Sequence, residues 1–441
     1  MRIVKLSLCV VVAAVFLSSC GSSAPNTGPH TTGLKFRALV SQDVASNLSA
    51  PGLIIINALL DVRANAGPIS GGSSFLPGQM YLSDNRSITL AVSNLTTQLG
   101  IFNNKTEASL GTVLLPGMTD SVLLSPDATT GYAAVSTAAV AGFPPGGIVV
   151  MGLGSSPGVT ATVPVTSVRY MVRSGDGTRI LAFSDNSDSV TIVPTQSIIP
   201  GQGQDTPLTI VPGFDRPVYG FFSADNSQAW ILNCGPECGG SEASVQVLDL
   251  IHNVAGARVV IPGGATVALL NNQTLYVAGN PQPPNNTCSG PGALTTAATT
   301  CGRLSIVNLS TMTLASPSSG FVIEDGYHTL LSLASNGQLF IGSRNCTNIV
   351  PPALPATGEQ RGCLFIADTA SLATSNPRLV APPDNGDVTG IQPITNRTIV
   401  YLLEGGQFRI YDTTTDEQTL GEATNAIDII GQGVDVKLID F

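Results

Sequence analysis

The 441-residue sequence predicts an all-β fold in which repeated hairpins pack around a common axis. Three observations predict it. Charged residues make up only 11% of the chain while Gly (47) and Pro (30) are plentiful, a balance that favours short strands joined by turns over long helices. A unit of Asx/Gly turn, apolar strand, loop and alternating strand, as in SGDGTRILAFSDNSDSVTIV (174–193), recurs along the chain. The two ends also match each other. The first unit lacks a preceding strand, and the final segment GVDVKLIDF is an alternating strand with no successor.

The chain opens as an export signal: Arg2 and Lys5 form a basic start, and LSLCVVVAAVFLSS is a short apolar core ending in small residues. LSSC (17–20) resembles the lipobox of bacterial lipoproteins, a resemblance that covers about the first 22 residues. It implies cleavage before Cys20 and a diacylglycerol on the Cys20 sulfur; an ordinary secretory signal is the alternative. More than one acyl chain gives durable membrane attachment. Gly21 stands where some lipoproteins carry the aspartate that retains them at the inner membrane, so the same resemblance implies the outer membrane, on its periplasmic or surface side. Residues 1–19 are therefore expected to be the signal peptide and 20–34 the lipidated cysteine with a polar, flexible tether. Beyond residue 19 no run of about 18 apolar residues suggests a spanning helix.

From residue 35 onward the repeats follow one another. KFRALVSQ (35–42) and PGLIIIN (51–57) form a truncated first copy. Further copies begin at Ser83, Ser125, Ser174, Ser223, Asn271, Ser335 and Thr395. Asp, Asn and Gly recur at the turns because they tolerate left-handed backbone and close hairpins. Aligning the apolar strands, read as the inner strands of their units, puts Val40, Val92, Val135, Phe183, Leu232, Val277, Ile341 and Leu402 in one column. The intervals run from 43 to 64 residues, and the two longest contain long insertions. A repeat of this length with four short strands is the signature of β-propeller blades. Pairing 434–440 beside the strand near Val40 would complete the first blade and close the ring. Eight blades are expected over 35–441; seven, with one hairpin stacked outside the ring, is the alternative.

SPDATTGYAAVS and SGDGTRILAFSDNSDSVTIV resemble the surface-protein repeats called YVTN-type, within the wider YncE-like and WD40-like propellers. The similarity spans 35–441 and marks a scaffold, since the Y-V-T-N segment is nowhere intact and no W-D dipeptide recurs. SADNSQAW (223–230) resembles a sialidase-type Asp-box, but Ser227 replaces the glycine of that motif and the segment occurs once.

Of eight cysteines, Cys9 lies in the signal and Cys20 is the lipid acceptor. The remaining six fall as three pairs, each between the two strands of its hairpin: Cys234 with Cys238, Cys288 with Cys301, Cys346 with Cys363. An exported chain meets an oxidising compartment, so disulfides are expected, with neighbour pairing the preferred one of 15 connectivities. The loop between second and third strands emerges on the face of a propeller that usually carries function. The Pro-rich, stapled insertions of consecutive units are thus expected side by side, as a binding rim or as protease-resistant decoration.

Chemistry is sparse. Three scattered histidines argue against a hydrolase triad, no G-x-S-x-G elbow follows a strand into a helix, no catalytic residue is assigned, and no metal site is expected. The single Trp230 cannot supply the repeated tryptophan motif of quinoprotein dehydrogenases. Asp185 leads DNSDS (185–189), whose clustered oxygens are of the kind that hold Ca²⁺; the commoner use of such a run is a hairpin turn. Arg344 and Glu404 follow apolar strands of neighbouring units and are expected near the axial mouth, as a binding pair or a solvated rim pair. No other cofactor is expected. With Arg2 and Lys5 removed the net charge is −12 (17 basic against 29 acidic residues) and no basic cluster occurs, which excludes nucleic acid as a natural partner. The expected function is a monomeric, lipid-anchored envelope scaffold that binds a protein, peptide or glycan. A lactonase-like propeller hydrolase or lyase with an axial site is the alternative.

Overall fold

The turn that opens a repeat is built from side chains. Ser174 Oγ donates to Asp176 Oδ1 (2.6 Å) and accepts the Arg179 amide (3.0 Å), while Asp176 Oδ1 accepts the Thr178 amide (3.0 Å) and hydroxyl (2.9 Å). The same network recurs at Ser83/Asn85/Ser87, Ser125/Asp127/Thr129 and Ser223/Asp225/Ser227. A left-handed residue follows each time, at Arg86, Ala128, Gly177 and Asn226. The Asp-box-like SADNSQAW is therefore one of four equivalent structural turns. A second Asx turn ends the third strand of six blades, where Asn57, Asn103, Asp249, Asn308, Asp368 and Asp412 accept amides two residues on.

Between these turns run four-stranded antiparallel sheets, eight in number. The computed structural model describes residues 31–43, 52–72, 75–93, 95–199, 203–204, 207–282, 286–291, 300–347, 363–382, 386–415, 417–420, 427, 429 and 431–440. The expected signal peptide, Cys20 and most of the tether lie outside them. Written from innermost to outermost strand, blade 1 is Gln432–Asp440, Phe36–Asp43, Leu53–Asn57 and Val62–Arg63. Blade 2 is Met80–Leu82, Ile88–Val92, Gln98–Asn103 and Ala108–Leu114; blade 3 is Ser121–Leu124, Thr130–Val135, Gly147–Gly152 and Gly158–Pro164. Blade 4 is Val168–Arg173, Arg179–Ser184, Ser189–Pro194 and Thr209–Pro212; blade 5 is Pro217–Phe222, Gln228–Asn233, Ser244–Asp249 and Val254–Val260. Blade 6 is Val267–Asn271, Thr274–Gly279, Gly302–Asn308 and Thr313–Leu314, with Phe321–Ile323 also paired to its third strand. Blade 7 is Tyr327–Leu333, Gln338–Arg344, Leu364–Asp368 and Leu379–Val380; blade 8 is Val388–Pro393, Ile399–Glu404, Gln407–Asp412 and Glu417–Leu420. The protein is thus an eight-bladed β-propeller.

Burial follows radius. Second strands such as Ile88–Val92 and Ile399–Glu404 are buried at every position, which is why they read as unbroken apolar runs. Outer strands such as Val254–Val260 are mostly exposed. Eight hydrophobic clusters among the described residues fill the eight seams between blades. Each fully buried Leu, Ile, Val or Phe contributes roughly 1.5–3 kcal/mol.

One expectation needs correction. The aligned column lies on the second strand, not the innermost; the innermost strand is the segment that precedes each opening turn. Nor does the column keep to one face. Val92, Phe183 and Leu232 pack toward the following blade, while Val40, Val135, Val277, Ile341 and Leu402 pack toward the preceding one. Because both faces of a second strand are buried, hydrophobicity does not set its parity.

The expected closure is observed. Phe36–Asp43 pairs antiparallel with Gln432–Asp440, with Val40 opposite Val436, so the C-terminal segment is the innermost strand of the blade that the N-terminal segment begins. Ion pairs flank that blade on both sides. Arg37 meets Glu107 of blade 2 (3.2 Å), and Arg397 of blade 8 holds Asp61 through its two terminal guanidinium nitrogens (2.5 and 2.6 Å).

Candidate functional site

Antiparallel order places the loop between second and third strands on the same face as the connection entering the next innermost strand. The three disulfides mark that face at blades 5, 6 and 7: Cys234–Cys238, Cys288–Cys301 and Cys346–Cys363, with Cα separations of 5.7, 5.1 and 5.6 Å. Neighbour pairing is as expected. Most of the two long insertions lies outside the described residues.

At the axis on this face, side chains of four innermost strands converge. Tyr81, Tyr170, Tyr219 and Tyr327 belong to blades 2, 4, 5 and 7 and are half of the protein's eight tyrosines. In blades 4 and 5 a bulge after Val168 and Pro217 sets Tyr170 and Tyr219 in the same position, opposite Phe183 and Leu232. Tyr81 donates to the Asp120 carbonyl of blade 3 (3.0 Å). Burial first raises its pKa, then the fields of Asp435, Asp120, Tyr219 and Tyr170. Tyr219 packs edge-on against Phe221, with ring centroids 5.3 Å apart, and keeps 39% of its surface exposed; burial raises its pKa also. Tyr327 is 49% exposed, and its hydroxyl approaches that of Tyr170. Burial, then Tyr170, pushes it up to about 12, with a further contribution from Glu237.

Charges rim this aromatic set. The bulged Arg169 lies over the Tyr170 ring (5.7 Å to its centroid) and pairs with Asp120 (3.2 Å) and Asp185 (3.6 Å). Burial opposes its charge, but Tyr170, Asp120 and Asp185 outweigh that and hold its pKa above the ordinary value. Deeper down, buried Asp435 accepts the Met80 amide (2.8 Å) and meets Lys437 (3.2 Å); burial still raises its pKa.

The short Cys234–Cys238 loop contributes Glu237, which reaches over blade 6. Its Oε2 accepts the Asn280 amide (3.0 Å), and Asn280 donates through its side chain to the Gly326 carbonyl beside Tyr327. Gly264 makes room for this reach, since a Cβ there would lie 2.1 Å from Glu237 Oε2. Burial raises Glu237 to about 7 although the Asn280 hydrogen bonds oppose the shift.

Of the residues singled out from sequence, Asp185 belongs to this site as a partner of Arg169. Asp188, at the end of the same turn, faces Arg216 (3.7 Å) instead, so the two carboxylates of DNSDS turn to different arginines. No group of three metal-ligating side chains occurs among the described residues. Arg344 and Glu404 end second strands, one layer back from the axis, and are not paired with each other. Arg344 stands opposite Tyr327 in the sheet. Glu404 is fully buried, 3.5 Å from Arg409, and accepts the Tyr411 hydroxyl (3.4 Å). Sequence reasoning missed the axial tyrosines. Their signal was present: Tyr170 and Tyr219 each stand four residues before the serine of an opening turn.

No family model matches the sequence, and no curated protein matches it either. Solved structures do resemble the fold. Hydrazine synthase of Kuenenia stuttgartiensis is 11% identical, covering 77% of this chain and 96% of its own, with a TM-score of 0.54. Dihydro-heme d1 dehydrogenase NirN, in complex with DHE, is 10% identical over 94% of this chain and 77% of its own, with a TM-score of 0.59. The periplasmic gluconolactonase PpgL of Pseudomonas aeruginosa is 14% identical over 92% of this chain and 99% of its own, with a TM-score of 0.49. At such identities the first two share architecture with this chain and nothing finer.

Proposed function

We propose that this propeller is a binding scaffold of the bacterial cell envelope. Lipid on Cys20 holds it to the membrane, Gly21 favouring the outer membrane, and it takes its ligand at the axial mouth on the face that bears the three disulfides. One observation carries the binding reading: four tyrosines from four separate blades meet at one mouth, on the face that also bears all three disulfides. Tyrosines on rigid innermost strands offer large contact area at little ordering cost. Ligand classes that suit such a surface are a peptide, a protein terminus or a glycan. The YVTN/YncE-type resemblance of the repeats agrees with an extracytoplasmic scaffold.

Two measurements test this reading. Changing Cys20 to Ser should move the protein from the membrane to the soluble fraction; retention would remove the lipid anchor from the proposal. An array of envelope glycans and peptides should show a ligand whose binding falls at least tenfold in Tyr219→Ala, and a full set of ligands indifferent to Tyr219 and Tyr327 would refute an axial site. A hydrolase or lyase is the second reading, favoured by one feature: Glu237, with a pKa raised to about 7 beside Tyr327, suits proton transfer near neutral pH. Turnover of a lactone panel that disappears in Glu237→Gln would establish it.

A further inference from the structure

The charges at the axial mouth do not cancel. Arg169 is its resident cation, and both Asp120 and Asp185 are spent on it. Asp435 below has Lys437 and a backbone amide. Glu237 has no cation partner among the described residues: its Oε2 accepts the Asn280 amide, and its charge acts on Tyr327 of blade 7, itself an acid. Buried Glu324, three residues before Tyr327, is a second carboxyl without a cation. On the far side of its own loop, Arg216 faces Asp188 and the Gly239 carbonyl, and Asp215 is taken up by the Ser241 and Glu242 amides. The half-exposed ring of Tyr327 lies within reach of the Glu237 charge, and the partly exposed ring of Tyr219 opens on the same mouth near Tyr81; their π faces attract cations. The mouth already demonstrates that preference, with a guanidinium lying over Tyr170 between two carboxylates.

We infer that the axial mouth binds an alkylammonium group, with Glu237 as its counter-charge and Tyr219 and Tyr327 as the ring faces around it. The inference rests on the axial binding reading and narrows its ligand to a cation. The group could be borne by a choline-type headgroup or by a lysine side chain. A bound cation stabilises the ionised form of Glu237, so binding is coupled to loss of its proton. Affinity therefore rises with pH through about 7, by roughly tenfold between pH 6 and pH 8.

The test uses the full-length protein in detergent and calorimetric or NMR titration with two matched pairs. Choline is compared with its neutral isostere 3,3-dimethylbutan-1-ol, and Nα-acetyl-lysine amide with the norleucine equivalent. The cation of at least one pair should bind saturably and at least tenfold more tightly than its neutral partner, and the pair that does so identifies the source. Glu237→Gln should abolish that advantage and its pH dependence while leaving the thermal midpoint within a few degrees; Glu237→Asp should restore part of it. Equal affinities within both pairs, no binding of either cation up to roughly 50 mM, or an advantage that survives in Glu237→Gln would overturn the inference. A neutral envelope ligand that still depends on Tyr219 would then leave the axial binding reading standing.

Discussion

Ser174 shows how much one small side chain does in this protein. It is fully buried, donates to Asp176 and accepts the Arg179 amide, so its hydroxyl holds both ends of a blade turn. Ser174→Ala leaves that amide unpaired and should cost about 1–2 kcal/mol, read as a shifted urea midpoint with unchanged m-value; an unshifted midpoint would show the network to be incidental. These turns also set the acid limit. Asp176 is held at about 2, chiefly by the Ser174 hydroxyl, and Asp225 at about 2 by Ser223. Their folded pKa values lie below those of an unfolded chain, so their contribution is complete above about pH 4 and disappears as pH falls toward 2. The acid limb of the stability profile should therefore be shallower in a Ser174→Ala/Ser223→Ala variant than in the parent. The turns were legible in sequence because their logic is local, with every partner within five residues. Glu237 was not, because its partners Asn280 and Tyr327 come from other blades.

At the scale of elements, the strands sort by how many faces they bury. Second strands bury both, so they are easy to find and hard to phase; this is how the aligned column fell on the same strand, the second, in all eight blades yet divided between two faces. Innermost strands mix apolar, aromatic and charged residues because one end opens on the axis, and that mixture hid them. The Cys346–Cys363 staple closes the blade 7 connection at its base, where both cysteines join the core between blades 7 and 8. Cys346→Ser should remove roughly 3 kcal/mol of loop-closure stabilisation without unfolding the blades. Trypsin should then cut faster at Arg361, the one basic residue between Cys346 and Cys363, while the rest of the chain stays protected. An unchanged cutting rate would mean that the staple does not restrain its loop.

At the scale of the molecule, the ring holds together through shared seams. In four of them, a side chain at the start of a second strand or in the turn before it donates to the same carbonyl of the next blade, the one just after the third strand: Arg37 to Asn104, Arg179 to Leu250, Asn336 to Thr413, Arg397 to Ala58. The closing seam adds the Arg397–Asp61 clamp, which the Tyr401 hydroxyl also joins. Arg397→Met strands a largely buried aspartate and should cost about 3 kcal/mol, whereas Arg216→Met breaks one exposed pair and should cost under about 1 kcal/mol. Ending the chain before Gln432 removes the innermost strand of blade 1 and should abolish cooperative unfolding; a truncated chain that still melts in one sharp transition would show that closure does not hold the ring.

Blade count, closure and disulfide pairing all follow from short-range regularities in the residues: period, alternation and cysteines that bracket a single loop. Strand phase and the contents of the axial mouth do not. They depend on which blades stand opposite one another once the ring closes, and residues as far apart as Tyr81, Tyr170, Glu237 and Tyr327 carry no mark of that meeting until packing has brought them together.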